Sequence, residues 1–148
     1  MENKNVIGNS YLQNYNGRFD TSTFSYYNCN PKYKRTDDCV IRAVATGIGR
    51  SWEEALNELV SYMIEDGHML NTPELYGKYL CEHGWAKQKQ PTKNGKKITF
   101  AEFVKSFKGN AIANAGDGHV TYVSKGKVWD IWDCTDEIVG NYWIYVGE

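Results

Sequence analysis

The sequence predicts an α+β fold in which a helical part comes first and a sheet second. In the first two thirds of the chain, apolar residues recur at the three- and four-residue spacing of helices, and capping boxes at Ser51 and Thr99 mark two helix starts. After Gly109 the pattern changes to short runs rich in Val, Tyr and Trp, which is typical of strands. We therefore expect helices packed on a C-terminal antiparallel β-sheet.

Length and composition predict one globular domain. The chain has 148 residues, of which 41% are hydrophobic and 24% charged. This length is enough for one hydrophobic core and short for two. Residues 1–18 are rich in asparagine and lack an apolar period, so we expect a flexible or edge segment there and a single domain over 19–148.

Charge and hydropathy argue against several classes of partner. The formal net charge of −1 provides no global field that would attract nucleic acid or anionic lipid. No apolar run approaches the ~20 residues that cross a bilayer, and the polar N-terminus does not resemble a signal peptide. We expect a cytoplasmic protein without membrane or nucleic-acid partners, whose four cysteines are reduced. The lysine-rich segment 84–98 is interpreted as an exposed loop, because no aromatic residue lies among its lysines.

The elements are expected in the following order. A run of Thr, Ser, Phe and Tyr predicts a strand within 19–27. Helices, each ended near a glycine or before a loop, are predicted at 39–46, 52–66, 73–83 and 100–108. Further strands are predicted at 111–113, 119–124, 127–132 and 142–146. Lys125 and Gly126 are the expected central pair of a two-residue hairpin turn.

Cys39 is the leading candidate for a nucleophile. It opens a short predicted helix, and the N-terminus of a helix lowers the pKa of a thiol. The backbone N–H at the same position can bind a developing oxyanion. Two features oppose this interpretation: Asp37 and Asp38 would raise the thiol pKa if they faced it, and a cysteine before an apolar helix is often a small core residue.

His119 is the expected general base. It follows a glycine-rich loop and begins a predicted strand, which is a rigid platform for an imidazole. Such a base works best when a carboxylate holds its other ring nitrogen. With a two-residue turn, Asp130 shares a face of the sheet with His119, whereas a turn longer by one residue would place Asp133 there. We prefer Asp130 and keep Asp133 as the alternative orienting residue.

The chain order of these residues resembles the papain-like cysteine peptidase superfamily, in particular its small bacterial and bacteriophage members. The segments 38–43 (DCVIRA) and 118–133, which begins GHV and ends VWDIWD, carry the resemblance, and it covers about residues 28–147. It implies a papain-like fold, with a helical part that carries the cysteine, a β part that carries the histidine, and a cleft between them.

The oxyanion hole is the point at which this chain departs from the family. In papain a glutamine six residues before the cysteine completes that hole, and here the position is Tyr33. The expected donors are therefore the backbone of Cys39 and the hydroxyl of Tyr33. Asn28, Asn30 or Thr36 could replace Tyr33.

These observations favour an enzyme, a cysteine-dependent hydrolase or acyltransferase that acts on an amide, isopeptide or thioester bond. Cys39 is the nucleophile, His119 the general base and Asp130 its orienting carboxylate, with a protein or peptide as substrate and no cofactor. The alternative is a non-catalytic papain-like protein that holds a protein or small-molecule partner on an aromatic surface. That surface would comprise Trp129, Trp132, Tyr142, Trp143 and Tyr145.

Two further motifs are interpreted as structural. In Asp66-Gly67-His68 the glycine ends a predicted helix, so His68 is only a reserve candidate for the base. Cys81 and His83 are two residues apart on a predicted helix and would point to different faces. Since the chain has no CxxC pair and no HExxH motif, we expect no metal site.

Overall fold

The computed structural model describes residues 20–147, and within this range the chain folds into four helices and a six-stranded mixed sheet with a separate two-stranded hairpin. The helices are α1 (Cys39–Ile48), α2 (Trp52–Asp66), α3 (Pro73–Glu82) and α4 (Phe100–Ser106). The strands are β1 (Phe24–Tyr26), β2 (Trp85–Gln88), β3 (Thr92–Lys93), β4 (Lys96–Lys97), β5 (Ala111–Ala115), β6 (His119–Ser124), β7 (Lys127–Asp130) and β8 (Val139–Tyr145). The expected flexible segment 1–18 lies outside the described residues. In the described part of the chain, no helix has the length and hydrophobicity to span a membrane.

Helix α1 is longer than the glycine pattern predicts. It continues through Gly47 and ends at Gly49, which adopts a left-handed conformation (φ 83°) while its N–H donates to the carbonyl of Ala45. Gly47 serves packing instead, because a Cβ there would lie 2.8 Å from Cδ1 of Ile112 in the sheet. The missing side chain therefore lets α1 approach the strands closely.

The sheet is mixed, so the expectation of an antiparallel sheet is wrong for one pair of strands. Its order is β1-β7-β6-β5-β8-β2, and β1 runs parallel to β7, with Phe24 opposite Val128. The other neighbouring pairs are antiparallel. Parallel strands require a long crossover, and the chain between β1 and β7 contains all four helices.

The hairpin that joins β6 to β7 has the predicted register. Ser124 lies opposite Lys127, and the central residues Lys125 and Gly126 both have positive φ, 56° and 73°. This is the geometry of the tight two-residue turn that matches the twist of its strands. The strand β7 ends at Asp130, two residues earlier than expected, and the next N–H, that of Ile131, donates to the Asp130 carboxylate (2.7 Å).

The segment 84–98 is not the expected loop. Its first residues form β2, which pairs with the last strand so that Trp85 lies opposite Tyr145. Strands β3 and β4 then form a small hairpin whose turn residues, Asn94 and Gly95, both have positive φ. The lysine content concealed an Asn-Gly hairpin signal, which is the stronger predictor of local structure.

Apolar side chains cover both faces of the central strands. One core lies between α1, α2, α3 and one face of the sheet, and it includes Val44, Leu59, Tyr79, Ile112 and Trp143. A second core lies between α4 and the other face, and it includes Phe24, Phe100, Val104, Ala113 and Val123. Because neighbouring strand residues point to opposite faces, β5 contributes to both cores. The first core holds α1 across β6, which brings the start of the helix to the start of the strand.

Replacement of Ser51 by alanine should lower the free energy of unfolding by about 1 kcal/mol. Ser51 Oγ accepts from the N–H of Glu54 (3.0 Å), and Glu54 Oε1 accepts from the N–H of Ser51 (2.9 Å), so the change removes half of a complete capping box at α2. Urea denaturation monitored by far-UV circular dichroism measures the loss.

Ser61→Ala is the matched control, because Ser61 lies inside α2 and its hydroxyl donates to the carbonyl of Glu58. Alanine has the higher helix propensity there, so the control should be neutral or slightly stabilising. Equal destabilisation by both substitutions would contradict a capping role for Ser51.

Candidate active site

Cys39 is the first residue of α1 and is half-buried. The side chain of the preceding Asp38 does not cap the helix. Its carboxylate instead accepts from Arg42 Nε (2.7 Å), Asn30 Nδ2 (3.0 Å) and Trp52 Nε1 (2.9 Å). These donors neutralise the charge that the sequence suggested would oppose ionisation of the thiol. The first turn of α1 is left without a side-chain cap, which suits an anion at its N-terminus.

His119 and Asp130 form a close pair across the β6–β7 hairpin. His119 Nε2 lies 2.7 Å from Asp130 Oδ2, and Asp130 is 1% exposed. The structure thus brings Asp130, and not Asp133, to the imidazole. Asp133 is exposed, and its Oδ1 accepts from the N–H (3.0 Å) and the hydroxyl (2.6 Å) of Thr135.

The thiol of Cys39 lies close to His119 and to the backbone N–H of Val120. Burial raises the pKa of this thiol, but the interactions with His119 and with the N–H of Val120, together with the positive charges of His119 and Arg42, outweigh it. The pKa of Cys39 therefore lies below its ordinary value. The thiolate, which is the reactive form of cysteine, is stabilised in this position.

The imidazole of His119 is held in its charged form. Burial lowers its pKa, but the hydrogen bond and charge of Asp130 and the neighbouring thiols of Cys134 and Cys39 raise it by more, to about 11. Because Nε2 is bonded to Asp130, Nδ1 is the nitrogen that remains for exchange of a proton with Cys39. The directions of the two pKa shifts favour a thiolate–imidazolium pair of Cys39 and His119.

Asp130 is ionised although it is buried. Besides His119, its oxygens accept from Thr121 Oγ1 (2.5 Å), Arg42 Nη1 (2.7 Å) and the N–H of Ile131 (2.7 Å). Burial raises the pKa of this carboxyl, and the interactions with His119, Arg42 and Thr121 lower it by more. The carboxylate orients the imidazole and compensates its charge.

Arg42 is the residue of this site that the sequence analysis missed. It lies one turn after Cys39, is 6% exposed, and binds Asp38 through Nε and Asp130 through Nη1. It therefore connects the start of the cysteine helix to the carboxylate that holds the histidine. A sequence signal was present, since Arg42 stands in an otherwise apolar helix four residues after an aspartate.

A cavity of about 630 Å³ opens beside these residues. Cys39, Arg42 and His119 line it, together with Thr36 and Trp132. The indole ring of Trp132 is 40% exposed and lies 4.9 Å from the imidazole of His119, measured between ring centroids. A substrate that reached the thiol would therefore contact the indole.

Comparisons of the chain with protein-family models, with curated proteins and with solved structures find no match.

The expected oxyanion donors lie in different places. Tyr33 is half-buried in a turn, with its N–H bonded to the carbonyl of Asn30, and it does not line the cavity. Asn28 Nδ2 donates to the carbonyl of Lys34, and Asn30 Nδ2 donates to Asp38. Thr36 is exposed and lines the cavity, so its hydroxyl is the best placed of the four side chains that the sequence suggested.

The remaining candidates lie outside this cavity. His68 is exposed and binds Asp66 (Nδ1 to Oδ1, 3.1 Å), while His83 Nδ1 bonds the carbonyl of Tyr79 (2.7 Å) and stacks on its ring. Cys81 is exposed on α3.

The five aromatic residues considered as a partner surface are dispersed. Trp143 is 2% exposed in the core, Tyr142 packs on Phe103, and Tyr145 packs on Trp85. Trp129 donates through Nε1 to the carbonyl of Ser124. Of the five, Trp132 is the one that lines the cavity.

His119, Asp130 and Cys134 also form a group whose potential ligand atoms lie within 4.8 Å of one another. Two features oppose binding of a divalent cation there. Arg42 already places a positive charge 2.7 Å from the Asp130 carboxylate. Burial raises the pKa of the fully buried Cys134, which keeps its proton, whereas a thiol must be deprotonated to bind a metal.

Replacement of Arg42 by methionine should lower the free energy of unfolding by about 3–5 kcal/mol. The change leaves the buried carboxylate of Asp38 without its cation and that of Asp130 with His119 alone, and two ion pairs of 2.7 Å are lost. Equilibrium urea denaturation measures the effect.

The matched control is Arg50→Met, which removes an ion pair with Glu58 whose side chains are 37% and 35% exposed. A pair of this kind contributes about 1 kcal/mol or less. If both methionine variants were equally stable, Arg42 would not have the structural importance assigned to it.

Proposed function

We propose that the protein is a papain-like cysteine hydrolase or acyltransferase in which Cys39 attacks the carbonyl carbon of an amide, isopeptide or thioester bond. The observation that carries the proposal is the placement of the Cys39 thiol beside the imidazole of His119, whose Nε2 lies 2.7 Å from Asp130 Oδ2. Cys39 and His119 line a cavity large enough for a peptide segment. The three residues come from α1, β6 and β7, in the chain order that the resemblance implies.

In the first half of the reaction, the Cys39 thiolate forms a C–S bond to the carbonyl carbon and the carbonyl electrons move to oxygen. The backbone N–H of Cys39, at the uncapped start of α1, and the hydroxyl of Thr36, which lines the cavity, are the proposed donors to this charge. The imidazolium of His119 then gives its proton to the leaving amine or thiolate as the bond to it breaks. A thioester on Cys39 and a neutral imidazole remain.

In the second half, neutral His119 takes a proton from water or from an acceptor amine, which attacks the thioester carbon. The C–S bond breaks, the product leaves, and the thiolate–imidazolium pair is restored. Asp130 stays ionised throughout, because its remaining donors hold it in the charged form. Hydrolysis and acyl transfer differ only in the acceptor.

Limited treatment with iodoacetamide near pH 6.5 should modify Cys39 about tenfold or more faster than Cys81. Cys81 is the more exposed of the two thiols, so accessibility alone predicts the opposite order. Peptide mapping by mass spectrometry at increasing reaction times measures both rates in one sample. A Cys81 that reacts as fast as Cys39 would contradict the proposed nucleophile and favour a non-catalytic binding protein.

His119→Gln provides the variant and His83→Gln the matched control, since His83 stacks on Tyr79 and does not line the cavity. The hydrogen bond and charge of His119 lower the pKa of Cys39, so without them burial dominates and the pKa rises. As the pH is lowered, the alkylation rate of Cys39 should therefore begin to fall at a higher pH in His119→Gln than in the parent protein. His83→Gln should leave the pH profile unchanged.

A further inference from the structure

A second cavity, of about 480 Å³, adjoins the first and shares Asn71 and Gly118 with it. Gly118 and Val120 of its lining flank His119, which lines the first cavity together with Cys39. A peptide that passes the thiol of Cys39 in the first cavity can therefore continue past His119 into the second.

Side-chain amides dominate the polar lining of this second cavity. They belong to Asn71, Gln90, Asn114 and Asn141. The oxygen of Asn141 accepts from the backbone N–H of Gln90 (3.1 Å), which fixes the orientation of that amide. The oxygen of Asn114 accepts from the hydroxyl of Tyr76. Within residues 20–147 neither Asn114 nor Asn141 donates its amino group to another protein atom, so both amino groups are available to an occupant.

Gln90 supplies the complementary acceptor. Its Nε2 donates to the carbonyl of Val139 (2.8 Å), which leaves Oε1 without a donor among residues 20–147. The described lining contains no lysine or arginine, and Asp117 is the charged residue in it. A carboxylate or phosphate would therefore meet no cation and one negative charge, whereas a neutral group that both donates and accepts would be matched.

We propose that this second cavity is a specificity site for an uncharged, hydrogen-bonding side chain of a peptide substrate, of which glutamine and asparagine are the best examples. The inference rests on the proposed function for the identity of the substrate as a peptide. The recognised side chain lies close to the scissile bond, because Gly118 and Val120 of the lining flank His119. A side chain of equal size with a carboxylate is disfavoured, because it cannot donate to Gln90 and adds a second negative charge to a lining that contains Asp117 and no cation.

The test is binding of short peptides to the Cys39→Ala protein, which removes the reaction and leaves the second cavity intact. Acetylated tripeptide amides Ala-Xaa-Gly and Xaa-Ala-Gly, with Xaa as Gln, Glu, Lys or Leu, present each side chain at two positions. Two-dimensional ¹H–¹⁵N spectra follow the side-chain amino groups of Asn114 and Asn141 directly. Glutamine peptides should bind about tenfold or more tightly than glutamate peptides and should shift those two signals. Absence of binding, or equal binding of Gln and Glu, overturns the inference.

Asn141→Asp is the sharpest variant, because it preserves shape and still accepts from the N–H of Gln90 while replacing the free amino group by a negative charge. It should lower the ratio of glutamine-peptide affinity to lysine-peptide affinity, the Gln-to-Lys preference, by about tenfold or more, because glutamine loses a donor and lysine gains an opposite charge. Asn57→Asp is the matched control on the exposed surface of α2 and should retain the parent preference. An unchanged preference in Asn141→Asp also overturns the inference.

Failure of this inference and failure of the proposed function give different results. If Cys39 is unreactive but glutamine peptides bind, the proposed chemistry is wrong and the specificity site stands. If Cys39 is reactive and the peptides bind without discrimination or not at all, the chemistry stands and the specificity site is wrong.

Discussion

The buried carboxylate of Asp130 is the group on which the site is built. An isolated carboxylate costs several kcal/mol to remove from water, and Asp130 is 1% exposed. It remains charged because Arg42, His119 and Thr121 all donate to it from α1 and β6. Each donor has to be in place for the others to be satisfied, so the start of α1 and the β6–β7 hairpin are fixed relative to each other. The positions of the thiol and the imidazole follow from that constraint.

Charge balance explains how the pKa of a partly buried thiol comes to lie below its ordinary value. The carboxylates of Asp38 and Asp130 face the cations of Arg42 and His119, so the buried groups are balanced before the thiol of Cys39 ionises. A thiolate at Cys39 would then be the unbalanced charge, and it would stand at the cavity that Cys39 lines. The helix N-terminus and the charge of His119 favour that thiolate.

The parts of this arrangement that depend on local geometry could be predicted from the sequence, and the parts that depend on distant partners could not. A two-residue turn at Lys125-Gly126 fixes the register of its hairpin, and this alone distinguishes Asp130 from Asp133. Arg42 is different, because nothing local shows that an arginine on a helix will be buried against a carboxylate 88 residues away. The parallel pairing of β1 with β7 likewise joins two segments that are separated in the sequence by all four helices, so no local pattern predicts it.

The state of the His119 ring tests the charge balance most directly. We predict that ring ¹⁵N chemical shifts, followed from about pH 5 to about pH 10, report an imidazolium at neutral pH with a pKa far above the ordinary 6.5. In Cys39→Ala that pKa should fall, because the bonded thiolate is gone, while the signal of the ring nitrogen bonded to Asp130 should remain. A His119 that titrates near 6.5 and does not respond to Cys39→Ala would contradict the thiolate–imidazolium pair.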